Sequence, residues 1–189
     1  MTATQLLTGE PQTSPVAPLS PSAHASAVED ARVLIADDDP SARLLMVGLL
    51  ERAGFWRVDA AAGGRMALAA MRRRPPAVLL LDVHMPDFDG LAMLRALSTD
   101  IPSRSVTSVL AVSGDASSEV RRSMLFYGAD DFLVRPCSGV ELVDHVRSLV
   151  RRTRAMNQAL RQVSLLDGLV RHMSDHELSN RASTEGTSC

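Results

Sequence analysis

Five short apolar runs punctuate the chain, and the segments between them carry apolar residues at helical spacing. Val33-Leu34-Ile35-Ala36 is uninterrupted, as expected of a strand buried on both faces. Asp39-Pro40 supplies an N-cap followed by proline at the first helical position. A helix bearing Leu44, Leu45, Val47, Leu49 and Leu50 follows and stops at Gly54. Phe55 to Ala60 reads as a short strand. Gly63-Gly64 then opens a helix through Met66, Leu68 and Met71, which Pro75-Pro76 ends. Ala77-Val78-Leu79-Leu80-Leu81 is the next buried strand. The loop 83–90 carries Pro86 and Gly90, and a helix with Leu91, Met93, Leu94 and Leu97 succeeds it. Val109 to Val112 predicts a fourth strand, and a helix from about Ser117 ends near Gly128. Phe132-Leu133-Val134 predicts a fifth strand, and a last helix starts near Ser138.

Strand and helix alternate five times, which argues for an α/β fold with a parallel sheet covered by helices on both faces. Right-handed crossovers leave few topologies, among them the flavodoxin-like doubly wound order. In such sheets ligands bind beyond the carboxyl ends of the strands. The residues leaving the strands are therefore the candidates for chemistry. They are Asp37 and Asp38 after the first strand, Asp82 after the third, Ser113 after the fourth, and Arg135 with Pro136 after the fifth.

Three carboxylates, a hydroxyl and a cation converging on one rim constrain the chemistry. Two carboxylates about 4 Å apart repel by roughly 4 kcal/mol at an effective dielectric of about 20, so the cluster needs protons, a cation or a metal. Hard oxygen ligands suit Mg²⁺, which takes one or two carboxylates together with a phosphate oxygen. Such a metal would neutralise charge during in-line phosphoryl transfer to an attacking carboxylate. The Ser113 hydroxyl and the Arg135 guanidinium are natural partners for the new phosphoryl oxygens.

Four motifs carry a family resemblance. They are Arg32-Val33-Leu34-Ile35-Ala36-Asp37-Asp38-Asp39-Pro40, Leu79 to Gly90 with Asp82, Met85-Pro86 and Asp89-Gly90, Val112-Ser113-Gly114, and Phe132-Leu133-Val134-Arg135-Pro136. Together they resemble the receiver domains of two-component response regulators, over about residues 31–150. The resemblance implies that Asp82 accepts phosphate from a histidine of a partner kinase. It implies that Asp37, Asp38, Asp82 and the backbone carbonyl of His84 hold Mg²⁺. It further implies that Ser113 is the switch hydroxyl, that Phe132 is the aromatic whose rotamer follows, and that the bond before Pro136 is cis. His84 and Asp115 would tune the lifetime of the phosphoryl group, and Gly114 leaves the acceptor open to donors. One position departs from the family, which usually has lysine where this chain has Arg135. Arginine is a planar fork rather than a compact point charge, so the exchange is not neutral at a tight site. The chain contains no lysine at all, and its 20 basic residues are all arginine. Compositional drift, slowed phosphorylation and weakened output therefore all remain readings of the change. A phosphorylation-independent adaptor and a phosphorelay intermediate remain alternatives to the phosphorylated switch.

Other features read more plainly. Asp39 is a helix cap, and Asp87 and Asp89 are loop and capping residues near the site. Cys137 is an ordinary loop thiol, and the i,i+4 pair His172 and His176 lacks further metal ligands. The arginine runs at 72–74 and 151–154 are solvated helix faces. A net charge of -2, few aromatics and no helix-turn-helix signature argue against nucleic acid as a partner. Two cysteines at 137 and 189 form no disulfide framework, which suits a cytoplasmic setting. No apolar run approaches the length needed to span a bilayer.

The chain of 189 residues is one domain plus extra length. Residues 1–30, rich in Pro, Ser, Thr and Ala, are expected to be disordered. The receiver would occupy 31–151, and a helical extension 152–173. The last helix carries Leu142, Val146, Leu149, Thr153, Met156, Leu160 and Val163 at 4-3 spacing, which predicts a two-helix coiled coil and hence a homodimer, or a stripe folded back on the receiver. It is expected to break at Gly168 and to give way to a disordered polar tail at 174–189. No output domain is expected after it, so output would pass through an unidentified downstream protein.

Overall fold

The computed structural model describes residues 28–86, 88–99 and 107–185, with side chains as far as residue 166. Asp87, the segment 1–27, the last four residues, and the side chains of His172 and His176 lie outside the described residues. Five strands form one parallel sheet: β1 (Val33–Ala36), β2 (Val58–Ala61), β3 (Val78–Asp82), β4 (Ser108–Ser113) and β5 (Asp131–Val134). Their spatial order is β2-β1-β3-β4-β5, and every pairing is parallel. This is the expected doubly wound arrangement. The order reverses between β1 and β3, so a crevice opens at their carboxyl ends.

Among the described residues, five helices cover the sheet: α1 (Pro40–Arg52), α2 (Gly64–Arg73), α3 (Gly90–Thr99), α4 (Ser118–Phe126) and α5 (Gly139–Glu185). The two-residue period of each strand divides the core in two. Leu34, Ala36, Leu79, Leu81, Val109, Ala111 and Phe132 face α2, α3 and α4, where they meet Met71, Leu94, Leu97 and Met124. Val33, Ile35, Val78, Leu80, Leu110, Val112 and Leu133 face α1 and α5, where they meet Leu50, Val146 and Leu149. Uninterrupted apolar strands are thus explained by burial on both faces.

Local signals set the element ends. The Asp39 carboxylate accepts a hydrogen bond from the Ser41 N–H at 2.8 Å, with Pro40 beginning α1. Gly54, at φ 96°, adopts the left-handed conformation just past the end of that helix. Ser117 caps α4. The second strand begins later than the sequence suggests. Phe55 is fully buried before the strand starts, and pairing with β1 begins only at Val58. Phe55 is apolar because it packs into the core with Leu50, not because it pairs in the sheet.

The last helix also departs from expectation. It continues through Gly168 and past residue 174 to Glu185. A single mid-helix glycine costs only about 1 kcal/mol relative to alanine, and no proline follows within the helix. Its last fully buried residue is Thr153, whose hydroxyl bonds the Ser108 hydroxyl at 2.6 Å and the Ala77 carbonyl at 3.2 Å. Beyond it, Met156, Leu160, Val163 and Leu166 are exposed.

Candidate functional site

The carboxyl ends of β1 and β3 bring Asp37, Asp38 and Asp82 together, with one ligating oxygen from each lying within 4.8 Å of the others. Asp37 and Asp82 are buried, and Asp38 is exposed at the mouth. Register explains the convergence: Ala36 pairs with Leu81, so the next residue of each strand leaves the sheet at the same level. Gly90 permits the close approach of α3 behind the site. A Cβ on it would lie 2.7 Å from the Asp82 carbonyl oxygen, and its N–H bonds the Val83 carbonyl at 3.0 Å.

Arg135, at the end of β5, closes the cluster from the other side. Its Nη1 donates to Asp37 Oδ2 at 2.8 Å and its Nη2 to Asp82 Oδ1 at 2.7 Å. The arginine backbone is itself fixed, since its N–H bonds the Ser113 carbonyl at 2.7 Å. The peptide bond before Pro136 is cis, as the family resemblance implies. The second Asp37 oxygen accepts the Asp39 N–H at 2.9 Å. Arg43 donates to the Asp37 carbonyl at 2.7 Å, a support that sequence reasoning missed. Nothing in the pattern of α1 distinguishes that arginine from a solvated one.

Burial raises the Asp82 carboxyl above its ordinary value. Arg135 opposes this shift, the nearby Asp37 charge adds to it, the His84 N–H opposes it, and Asp38 adds a little more. One guanidinium against three carboxylates leaves two surplus negative charges when all are ionised. A divalent cation taking hard oxygen donors fits that surplus and that donor set.

The remaining predicted residues lie around this centre. Ser113 is buried at the end of β4, and its hydroxyl accepts the Asp115 N–H at 3.0 Å. Phe132 is buried on β5 with the Arg121 guanidinium 5.7 Å from its ring. His84 is exposed beside the site. Asp115 accepts the Ser117 N–H at 2.8 Å, and this bond with the Ser117 hydroxyl holds its carboxyl below the usual range, helped slightly by His84. The Asp89 carboxylate accepts the Ala92 N–H at 2.7 Å, a helix-capping contact as expected. Burial pushes the Cys137 thiol up, away from the thiolate form.

A parallel five-stranded sheet with an acidic trio at its switch point, a hydroxyl on β4 and a cation on β5 defines a receiver-type signalling domain. Comparison with known proteins agrees. The family model described as the response regulator receiver domain matches residues 33–147. The chain is 37% identical over 121 residues to the probable transcriptional regulatory protein TcrX of Mycobacterium tuberculosis, covering 64% of this chain and 50% of that one. It is 39% identical over 122 residues to the response regulator PleD of Caulobacter vibrioides, covering 64% of this chain and 26% of that one. Among solved structures, the receiver domain of the Francisella response regulator 1452 matches with TM-score 0.59 and 31% identity, covering 65% of this chain and 98% of that one. The Vibrio cholerae chemotaxis protein CheY4 matches with TM-score 0.59 and 29% identity, covering 63% of this chain and 98% of that one. The chain belongs to the response regulator receiver domain family. It spans about half the length of the transcriptional regulators TcrX and TrcR that it matches. Among the described residues no helix is long and apolar enough to cross a membrane.

Proposed function

We propose that the chain is a phosphorylation switch of a two-component system, with Asp82 as the acceptor of a phosphoryl group from a histidine kinase or a histidine phosphotransferase. The observation that carries this reading is the meeting of Asp37, Asp38 and Asp82 at one rim with the Arg135 guanidinium on the acceptor. A carboxylate oxygen of Asp82 forms the O–P bond as the N–P bond of the phosphohistidine breaks. The leaving imidazole keeps the electron pair. Asp37, Asp38, Asp82 and the backbone carbonyl of His84 would hold Mg²⁺, which would supply charge neutralisation at the phosphoryl oxygens. Arg135 contributes hydrogen bonds to the same oxygens. The Ser113 hydroxyl exchanges its bond from the Asp115 N–H for a phosphoryl oxygen, and the Phe132 ring changes rotamer with it. His84 and Asp115, beside the site, would tune the phosphoryl lifetime, as the family resemblance implies. The protein is otherwise not an enzyme.

An apolar groove of about 460 Å³ beside Arg135, lined by Leu45, Met46, Leu49, Pro136 and Leu142, suits a helix of the phosphodonor. The exposed stripe of Met156, Leu160 and Val163 suits a second copy of the chain in a coiled coil, through which the signal passes to a downstream protein. A cytoplasmic setting suits both the free Cys137 thiol and a kinase partner. The acceptor is tested by incubating the protein with acetyl phosphate and Mg²⁺ and measuring intact mass. One phosphoryl adduct is expected, absent in Asp82→Asn. An adduct that survives this substitution, or no adduct from this donor or a cognate kinase, overturns the reading.

A further inference from the structure

The amino edge of the sheet carries a second charged site, opposite in sign and in place to the acidic rim. Val33 pairs with both Val58 and Val78, so the residues that enter these strands share one level. Arg32 and Arg57 immediately precede β1 and β2 there, and Arg74 ends α2 beside them. Beyond Thr153, α5 runs past the same edge and adds Arg154 and Arg161. These five arginines line one cleft of about 540 Å³. The runs at 72–74 and 151–154, expected to be solvated faces, thus each contribute an arginine to its wall. The Arg32 guanidinium also donates to the Arg74 carbonyl, which fixes two of the five relative to each other.

Carboxylates answer only part of this charge. Asp59 lies 2.6 Å from Arg32 Nε, and Asp30 lies 3.5 Å from Arg57 Nε. Arg74, Arg154 and Arg161 have no carboxylate partner among the described residues, although Arg154 is partly buried. Five guanidiniums against two carboxylates leave three surplus positive charges around one space. Such charges repel one another unless an anion lies between them. A hollow that shares Arg32, Arg57 and Arg74 adjoins the cleft and is bordered by Trp56, the only tryptophan of the chain. The Arg57 guanidinium stacks 4.3 Å from the centre of its ring, which holds that fork in place.

We propose that this cleft binds a small oligophosphate anion, in which two or three linked phosphates span the sheet edge and α5. Guanidinium forks match phosphate oxygens in bidentate geometry, and linked phosphates carry the several charges that the surplus calls for. The volume is that of a small-molecule site. A net charge of -2 argues against a long nucleic acid there. The cleft lies at the end of the strands opposite to Asp82 and takes no part in its chemistry.

The test titrates the metal-free full chain with tripolyphosphate and, separately, with ATP. Ionic strength is held constant with sodium chloride, and Trp56 fluorescence and the thermal midpoint are followed. Tripolyphosphate should give a saturable one-to-one change in fluorescence and a higher midpoint. Tighter binding of ATP assigns the ligand to the nucleotides, and equal or weaker binding assigns it to the phosphate chain alone; both support the site. Arg74→Gln and Arg154→Gln, shown to be folded by circular dichroism, should each weaken binding about tenfold. Arg151→Gln, outside the cleft, should leave it unchanged. No saturable response overturns the proposal, as does equal weakening by Arg151→Gln. A glutamate-rich peptide that binds more tightly than either phosphate probe overturns it in favour of an acidic protein segment.

Discussion

The body of the sheet and its carboxyl rim obey opposite rules. Inside, Leu79, Leu80, Leu81 and Leu110 are fully buried and bring only apolar surface to the core. At the rim, one residue further along β3, the buried side chain is the carboxylate of Asp82, facing a second buried carboxylate on Asp37. The body gains stability from each buried methylene. The rim gives some up to concentrate charge. A single β3 strand passes from one regime to the other between Leu81 and Asp82, so folding and reactivity are neighbours but not the same property.

Substitutions on the two sides of that boundary should move stability in opposite directions. The largest effect is expected inside. Leu80→Ala removes a side chain packed between α1 and α5 and should cost about 2–5 kcal/mol, read as a lower urea midpoint at unchanged slope. A loss below about 1 kcal/mol would mean that the core repacks around the gap and that the contrast is weaker than drawn.

At the rim, Asp82→Asn should stabilise the metal-free protein at neutral pH by about 1 kcal/mol. The sign follows from the raised carboxyl, which burial makes harder to ionise in the native than in the unfolded chain. The penalty is absent below the ordinary aspartate range. It builds as pH climbs from there to the raised native value and is constant above it. Unfolding midpoints of the two proteins should therefore converge towards acid and separate towards neutrality. A less stable Asn variant at neutral pH would show instead that the bond from Arg135 outweighs burial.

The smallest stability change is expected where α5 has left the domain. Leu160→Asn should alter receiver stability by no more than about 0.5 kcal/mol, because Leu160 lies beyond the last buried contact at Thr153. The same substitution should shift sedimentation of the protein from dimer towards monomer. A wild-type monomer at the same concentrations would remove the coiled coil from the account.

Much of the fold was legible because its signals are local. Apolar runs bounded by Asp39-Pro40, Gly54 and Pro75-Pro76 can be read without knowing what they touch. The acidic trio was legible too, because parallel strands in register place the residues that leave them at one level. The opening of β2 differs from the sequence reading because Phe55 is apolar in order to pack in the core beside Leu50 rather than to pair with β1. The extent of α5 goes beyond the sequence reading because a single glycine inside a helix costs only about 1 kcal/mol relative to alanine.

Periodicity and strand-end chemistry determined the α/β class with its parallel sheet, the rim at the strand ends and the carboxylates on it, and the family resemblance selected the doubly wound order. Only the tertiary structure decided that Arg135 grips Asp37, 98 residues away in the chain, and Asp82, 53 residues away, in the same fork. It also decided that Thr153, the last fully buried residue of α5, meets the Ser108 hydroxyl, 45 residues earlier. The physical reason is the same in both cases. Local periodicity reports which face of an element is buried, whereas the partner of a polar side chain depends on where distant strands and helices end in space.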